Sequence, residues 1–593
     1  MAFHKTLIAA ALCAAGSTPA AAFNARIDSE ASSALRDRLT SVSATLGAER
    51  DGVTEPSDII AAVQSDYRTL LGTLYRSGYY APVIRISVDG REGSTLSLIT
   101  LPSRIENVVI SIETGAKFTF GDATVAPLAP QTELPTGFAT GKTARSGEIG
   151  AAKDAAVDAW RAAAHPKAAL SSQAIVADHN SKTLDVALGI APGPKAVFGQ
   201  LRFTGTDRVS SDRLTEITGD LSGKAYSPET LDIAAARLRK TGAFRSVALS
   251  EAETLNPDGS LDITATVTDA APRRVGFGAQ INSLEGGTLS AYLMHRNITG
   301  NADRLRFDAE ISGLGSDTGI DYSIGANYRR PATTRPVLSL IGEAEVARVD
   351  EPTYLSTSAR VMVGAEVTLS DTTYFTGGIG YRYSDVTDDI GNRNFSHFII
   401  PLDGARDSRN NSLNPTSGTY FAAEIMPFVG FSGSATGARL FADMRGYKGF
   451  GDNDKFVLAG RFTVGSILGS DVSETPPDLV FFSGGGGTVR GQPYKSLDVD
   501  LGGGTRTGGA SFVGLSTELR AGLSQKLSLV GFADVGGIGV NEIPDETMNW
   551  HAGAGLGLRY DTGFGPIRLD IAAPVSGTTG DGLQFYVGIG QAF

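Results

Sequence analysis

The sequence predicts small α+β modules followed by an all-β antiparallel transmembrane barrel of about 16 strands. Glycine usage changes along the chain, because residues 1–270 hold 21 of the 73 glycines and residues 271–593 hold the other 52. Helical and strand patterns alternate before residue 270, whereas strand patterns and turn signals dominate after it. After the first 22 residues no run of about 18 apolar residues occurs, so this chain can enter a membrane only as a closed barrel.

Residues 1–22 have the features of a secretory signal peptide. Lys5 gives a short basic start, an apolar run follows, and Ala20-Ala21-Ala22 offers a cleavage pattern of small residues. The single cysteine, Cys13, lies inside this segment. We therefore expect an exported mature chain that has no disulfide.

The first half predicts three modules, which we place at residues 23–115, 116–195 and 196–270. Two similar stretches, "LYRSGYYAPVIRISV" and "SPETLDIAAARLRKTGAFRSVALS", each put a glycine (Gly78 or Gly242) between a helical run and a strand pattern. A third helical pattern, "GEIGAAKDAAVDAWRAAAHP", lies between them. Each module is therefore expected to pair helices with short strands joined by turns.

Strand patterns with strict alternation fill residues 271–593. In "SFVGLSTELRA", Leu515 and Leu519 share one face, whereas Glu518 and Arg520 share the other. A soluble β-sandwich would also have one apolar and one polar face. The length of the segment, and the alternation of short turns with longer loops near its end, favour a transmembrane barrel.

One connection, residues 468–510, is unusually long. Structureless loops of this length usually have a function, and a barrel of about 16 strands has a wide lumen. The alternation puts Glu518 and Asp534 on the inner wall, on the two strands after this loop. We therefore expect the loop to fold into the lumen and to bring Arg490 to these carboxylates as a structural ion pair, although a lone loop arginine is more often solvated.

Motifs in the second half resemble those of a known family. In "GGGGTVRGQPY", Val489, Arg490 and Gly491 match the motif of the lumen-inserted loop of the BamA/TamA superfamily of outer-membrane proteins, with the aromatic residue arriving later, at Tyr494. "GFADVGG" is similar to the family's F-x-D-x-G strand motif at Phe532 and Asp534. "DSRNNSLNPTSGTYF" and "GPIRLDIAAP" also resemble family barrel motifs.

This resemblance implies partners for the loop and an architecture for the whole chain. Asp534, Phe532 and Glu518 would surround the loop arginine on the lumen wall. The N-terminal modules would be polypeptide-transport-associated (POTRA) domains in the periplasm, and the barrel would lie in the outer membrane of a Gram-negative bacterium. Three modules, rather than five or two, favour the TamA branch over BamA and over two-partner secretion transporters.

The resemblance also implies a function. The protein would insert or secrete outer-membrane client proteins, autotransporters among them, by templating their strands at the seam between the first and last barrel strands. A TamB-like periplasmic protein would be a further partner, besides the lipid bilayer and unfolded clients. A secretion transporter with one dedicated substrate and a passive solute channel remain open as alternatives.

The last strand pattern, "LQFYVGIGQAF", would form one side of that seam. Phe585 and Phe593 belong to its alternation, whereas Gly588 and Gly590 weaken its packing and allow a kink. Gln591 departs from the aromatic alternation of many outer-membrane C-terminal signals. Ordinary close packing would also account for these glycines.

Other classes of function find little support in the sequence. The formal net charge of −12 disfavours nucleic-acid binding. The histidines are isolated, and no nucleotide-binding or nucleophile motif has the context that it needs. We therefore expect neither an enzyme nor a bound metal or cofactor.

Overall fold

The computed structural model describes residues 23–97, 99, 101–282, 286–315, 319–563, 565–580 and 582–593. The predicted signal peptide lies outside these residues. Two compact units form the chain. One contains the described residues up to Gly199 together with Gly223–Thr230 and Thr254–Leu261, and the other contains Gln200–Ser222, Leu231–Glu253 and Asp262–Phe593.

The first module packs three helices on a four-stranded sheet of order β1-β4-β2-β3. Its elements are β1 (Asn24–Ser29), α1 (Ser33–Val42), α2 (Ala44–Arg50), α3 (Pro56–Arg76), β2 (Val83–Val88), β3 (Arg91–Glu92), the 3₁₀ turn Gly93–Thr95 and β4 (Asn107–Glu113). Ile60, Leu70 and Leu74 of α3 are buried against Ile110 of β4 in its hydrophobic core. Because these α3 side chains recur at helical spacing, one face of the helix is apolar.

The second module has one helix on a three-stranded sheet of order β5-β7-β6. Its elements are β5 (Thr119–Ala126), α4 (Ser146–Ala162), β6 (Ala169–Asp178) and β7 (Thr183–Ala191). Ala152 and Ala156 of α4 are fully buried, so the helix lies close to the sheet. Strand β6 forms one edge of the sheet and most of its residues are exposed.

The third sheet has the order β8-β10-β9. Its elements are β8 (Val197–Thr204), α5 (Ser211–Thr218), α6 (Pro228–Lys240), β9 (Phe244–Glu251) and β10 (Ser260–Asp269). Ser210 caps α5, since its hydroxyl accepts from the Arg213 backbone N–H. Among the described residues, none of the helices is both long and apolar enough to cross a membrane.

All remaining long strands form one antiparallel sheet. They are β11 (Arg273–Asn282), β12 (Gly286–Arg296), β13 (Arg304–Leu314), β14 (Asp321–Arg330), β15 (Leu338–Glu351), β16 (Tyr354–Thr368), β17 (Thr373–Asp388), β18 (Gly391–Ile399), β19 (Leu402–Asp407), β20 (Ser417–Phe431), β21 (Gly437–Phe450), β22 (Phe456–Leu468), β25 (Ser511–Gly522), β26 (Leu527–Gly539), β27 (Asn549–Asp561), β28 (Pro566–Ser576) and β29 (Gln584–Ile589). The short strands β23 (Val499–Asp500) and β24 (Arg506–Thr507) form a separate pair, and Asp452–Asp454 is a 3₁₀ turn.

Among the described residues this sheet has 17 strands, because one barrel strand is broken. β18 and β19 both lie between β17 and β20, and Ile400 and Pro401 separate them. Pro401 has no backbone N–H to donate to a β-ladder, so its position in the sequence accounts for the break. Counted as one strand, β18 and β19 complete the 16-stranded barrel that the sequence predicts.

The strands β25, β26 and β28 expose apolar side chains and bury charged ones, the reverse of a soluble sheet. On β25, Leu515 and Leu519 are about half exposed, whereas Glu518 and Arg520 are buried. This matches the predicted alternation. An exposed apolar face on every second residue is the surface that lipid requires.

Candidate functional site

The connection between β22 and β25, residues 469–510, is folded against the inner face of the barrel. Seven apolar loop residues pack against apolar residues of the wall strands, and together they form a buried cluster. The loop members are Val472, Leu479, Val480, Phe481, Leu497, Val499 and Ala510. The β23–β24 pair adds a short hairpin within the loop. The connection therefore fills part of the lumen.

Arg490, near the middle of this loop, meets Asp534 of β26 in a bidentate arrangement. Its Nε lies 2.7 Å from Asp534 Oδ2, and its Nη2 lies 3.0 Å from Oδ1. The Arg490 backbone N–H also donates to Oδ2, at 3.1 Å. Charge-assisted fork contacts of this kind combine strength with fixed geometry.

Two further carboxylates complete the surroundings of Arg490. Its Nη1 lies 2.7 Å from Glu518 Oε1 and 3.3 Å from Asp570 Oδ2. The Phe532 ring centroid lies 3.6 Å from Arg490 Cζ, so the guanidinium stacks on an aromatic face. Only 2% of Arg490 is exposed. The structure thus brings together Arg490, Asp534, Glu518 and Phe532.

The loop approaches the wall closely because glycines leave the space. Gly491 has a φ of +94°, and a Cβ there would lie 2.5 Å from the Ala573 carbonyl oxygen. A Cβ on Gly553 would lie 1.9 Å from the Arg490 carbonyl oxygen. The Gly491 N–H donates to the Tyr586 hydroxyl at 2.9 Å, which ties the loop to β29.

The other two residues of the predicted loop motif have separate surroundings. Val489 is completely buried, and a Cβ on Gly536 would lie 2.8 Å from its Cγ2. Tyr494 lies away from the arginine cluster, because its hydroxyl donates to Glu351 of β15 at 3.2 Å. Tyr494 therefore connects the loop to a strand on another part of the wall.

Sequence reasoning missed three members of this buried cluster: Asp570, Arg520 and Arg559. Arg559 pairs with Asp570, and Arg520 Nε donates to Glu518 Oε2 at 2.9 Å. Asp570 lies on the polar face of its strand, because the apolar residues Ile567, Leu569 and Ile571 alternate with it. What the sequence lacked was the register that brings this strand to the loop.

The fully buried charges of the cluster balance, and the less buried Arg568 lies at its edge, 3.8 Å from Asp570. Arg490, Arg520 and Arg559 face Glu518, Asp534 and Asp570, and all six side chains are at most 5% exposed. Burying an unpaired ion costs several kcal/mol, so removal of one member of such a set is expected to cost about 3–5 kcal/mol. The cluster therefore ties the loop to β25, β26 and β28 as a unit.

The predicted seam residues lie at the end of the chain. Phe585 faces outward and is about half exposed, whereas Phe593 is buried. Gly588 pairs with Arg568 of β28, and Gly590 has a φ of +91°. The last strand is shorter than predicted, because β29 ends at Ile589 and the backbone leaves the sheet at Gly590.

A solved BamA structure shares this fold, and two CdiB structures are also similar to the chain. BamA from Haemophilus ducreyi lacking POTRA domains 1–3 has a TM-score of 0.62 at 17% sequence identity, and the match covers 80% of this chain and 99% of that chain. CdiB from Acinetobacter baumannii has a TM-score of 0.49 at 14% identity, covering 79% of this chain and 89% of that one. CdiB from Escherichia coli has a TM-score of 0.48 at 15% identity, with 80% and 91% covered.

The modules, the barrel and the loop define an outer-membrane barrel protein with N-terminal POTRA modules in the periplasm. The family model described as "Omp85 superfamily domain" matches residues 297–593, which is half of the chain. The chain belongs to the Omp85 superfamily, a group that handles protein substrates in assembly or secretion at the outer membrane. The predicted BamA/TamA superfamily and fold class are confirmed, whereas the narrower TamA assignment stays a prediction.

Proposed function

We propose that this protein is a non-enzymatic assembly factor that inserts client proteins into the outer membrane at the seam between β11 and β29. One observation carries the proposal: the Arg490 loop is ion-paired to strands on one side of the seam, whereas no ladder joins the two seam strands among the described residues. Client strands would template on the first or last strand when the seam opens.

The seam is the weakest junction of the sheet. β29 has six residues and pairs with β28 over Gln584–Ile589, whereas most other barrel strands have at least ten. β11 lies next to β29, but among the described residues no ladder joins them. A free strand edge is a template for another strand, so opening here would expose the groups that a client needs.

The second module offers a site for a periplasmic partner or an extended client. β6 is a ten-residue edge strand in which Ile175 is 41% and Val176 is 60% exposed. Added strands bind such edges through main-chain hydrogen bonds, with side chains giving specificity. We propose β6 as a docking edge, and by family resemblance a TamB-like protein as one occupant.

The filled lumen argues against a passive solute channel. The loop cluster and the Arg490 site occupy space through which solute would pass. Deletion of residues 23–270 separates the two functions: a channel would keep its conductance without the modules, whereas an assembly factor would lose its activity.

A reversible disulfide bond across the seam tests the proposal. Cysteine pairs would be introduced one at a time along Arg273–Asn282 and Gln584–Ile589, and insertion of a urea-denatured barrel client into proteoliposomes would be measured. We expect oxidation to abolish insertion and reduction to restore it. The matched control is a cysteine pair at Leu293 and Phe307, which are ladder partners on β12 and β13.

Two outcomes would contradict this function. Unchanged insertion by the oxidised seam variants would show that clients do not use the seam. A substrate that crosslinks inside the lumen and reaches the vesicle interior would instead identify a secretion transporter.

A further inference from the structure

The final four residues leave the barrel wall and bind a turn at its periplasmic end. After β29 ends at Ile589, the Gly590 N–H donates to the Pro566 carbonyl at 2.8 Å. The Gln591 N–H then donates to the Leu413 carbonyl at 3.1 Å. Leu413 belongs to residues 408–416, which connect β19 to β20. We call this connection the turn segment and residues 590–593 the tail.

The nitrogen and the oxygen of the Gln591 side-chain amide both form hydrogen bonds. Its Nε2 donates to Asn414 Oδ1 of the turn segment at 2.8 Å, and its Oε1 accepts from Arg559 Nε at 2.8 Å. A phenylalanine in this position could make neither contact. The departure of Gln591 from the aromatic alternation therefore has a structural role.

The tail ends in a buried aromatic contact. Phe593 is 6% exposed and its ring centroid lies 6.4 Å from that of Tyr447 on β21. Ala459 of β22 belongs to the same small cluster. The tail is therefore held by one backbone and two side-chain hydrogen bonds of Gln591 and by one apolar contact of Phe593.

Buried contacts connect this tail to the Arg490 loop. Asp570 forms ion pairs with both Arg490 and Arg559, and Arg559 donates a hydrogen bond to Gln591. A second route runs from Arg490 through Glu518 to Arg520, whose Nη1 donates to the Pro415 carbonyl at 3.2 Å. Both routes end at the turn segment.

We propose that the tail is a latch that holds the seam strand against the turn segment, and that the Arg490 loop sets this latch through Asp570 and Arg559. Asp570 receives both Arg559 Nη groups and so sets the position of Arg559 Nε. Movement of Arg490 away from Asp570 would free this carboxylate to rotate, and Arg559, which is paired with it, would turn as well and withdraw its hydrogen bond from Gln591. The tail would then detach and β29 would keep only its short ladder with β28. The latch does not depend on the proposed function, because no client takes part in it.

The test measures the distance between tail and turn segment in the full mature chain. The sequence has one cysteine, Cys13, in the predicted signal peptide, so spin labels on Ser412→Cys and Ala592→Cys would be unique. Ser412 is exposed and Ala592, which belongs to the tail, is partly exposed. Double electron–electron resonance in lipid nanodiscs should give one short distance for the otherwise unchanged chain.

Variants of the latch should add a longer distance. We expect this for Gln591→Ala and for Asn414→Ala, and not for Gln584→Ala, which changes a glutamine at the other end of β29. Heat-modifiable migration on gels shows whether each barrel is folded. A single short distance in folded Gln591→Ala and Asn414→Ala barrels would overturn the latch.

The coupling to the loop has its own test. Arg490→Ala should add the longer distance although it leaves Gln591 and Asn414 intact. Asp570→Asn keeps the shape of the side chain, and it should have the same effect if Arg490→Ala does not fold. A single short distance in either folded variant would overturn the control of the latch by the loop.

Discussion

Charged pairs on two parts of the lumen wall differ in their exposure. On β15 and β16, Arg360 and Glu343 lie 3.4 Å apart, with 38% and 34% of their side chains exposed. Arg490 and Asp534 lie 2.7 Å apart, with 2% and 1% exposed. The residue types are similar, so the loop that covers the second pair makes the difference.

This difference shows where the barrel is braced. A half-exposed ion pair contributes little, because water screens it and side-chain entropy opposes it. A buried cluster fixes its members, since none can leave without stranding a charge. The seam therefore joins a wall that contains this buried cluster, which ends at β29, to a wall that begins at β11 and that the loop contacts through Tyr494 and Lys495 at Glu351 of β15.

The largest effect should come from Arg490→Ala. Three buried carboxylates would then have two buried arginines, Arg520 and Arg559, and the less buried Arg568 at 3.8 Å from Asp570. We expect the barrel to lose about 3–5 kcal/mol of its free energy of unfolding. Urea unfolding in lipid vesicles, followed by tryptophan fluorescence, measures this loss. A loss no larger than that of an exposed arginine would remove the contrast between the two walls.

A smaller effect is expected from Gly491→Ala. Alanine in the left-handed region costs about 1–2 kcal/mol, and the contact with the Ala573 carbonyl adds to this cost. Gly487→Ala is the matched control, because a Cβ there has no neighbour within 4 Å. Equal unfolding midpoints for the two variants would show that the loop does not approach β28 closely.

The smallest effect should come from Arg360→Ala on β16, which lies outside the buried cluster. We expect a change of about 0.2–1 kcal/mol in the free energy of unfolding, with a further decrease at high salt. The same urea titration at two ionic strengths measures it. A loss comparable to that of Arg490→Ala would mean that this partly exposed ion pair stabilises the barrel as much as the buried cluster does.

The sequence was sufficient for the barrel and for part of the site. Alternation on β25 and β26 put Glu518 and Asp534 on the inner wall, and the length of the loop indicated that it fills the lumen. These are local patterns that each strand carries by itself.

The remaining contacts depend on register and on long-range packing. Asp570 lies 80 residues from Arg490 in the sequence, and only the stagger of β28 in the closed barrel brings it to the loop. Gln591 meets Asn414 across 177 residues, and only after the backbone turns at Gly590. The periodicity of the sequence does not predict that turn.

A double-mutant cycle between Arg490→Ala and Asp534→Ala tests the bracing of the wall most directly. The free energy of unfolding would be measured for both single variants and for the double variant in the same vesicles. We expect the double variant to be less destabilised than the sum of the single variants by about 0.5–3 kcal/mol, because each single change strands the charge of the other residue. Strictly additive losses would contradict a direct contact between the loop arginine and the wall.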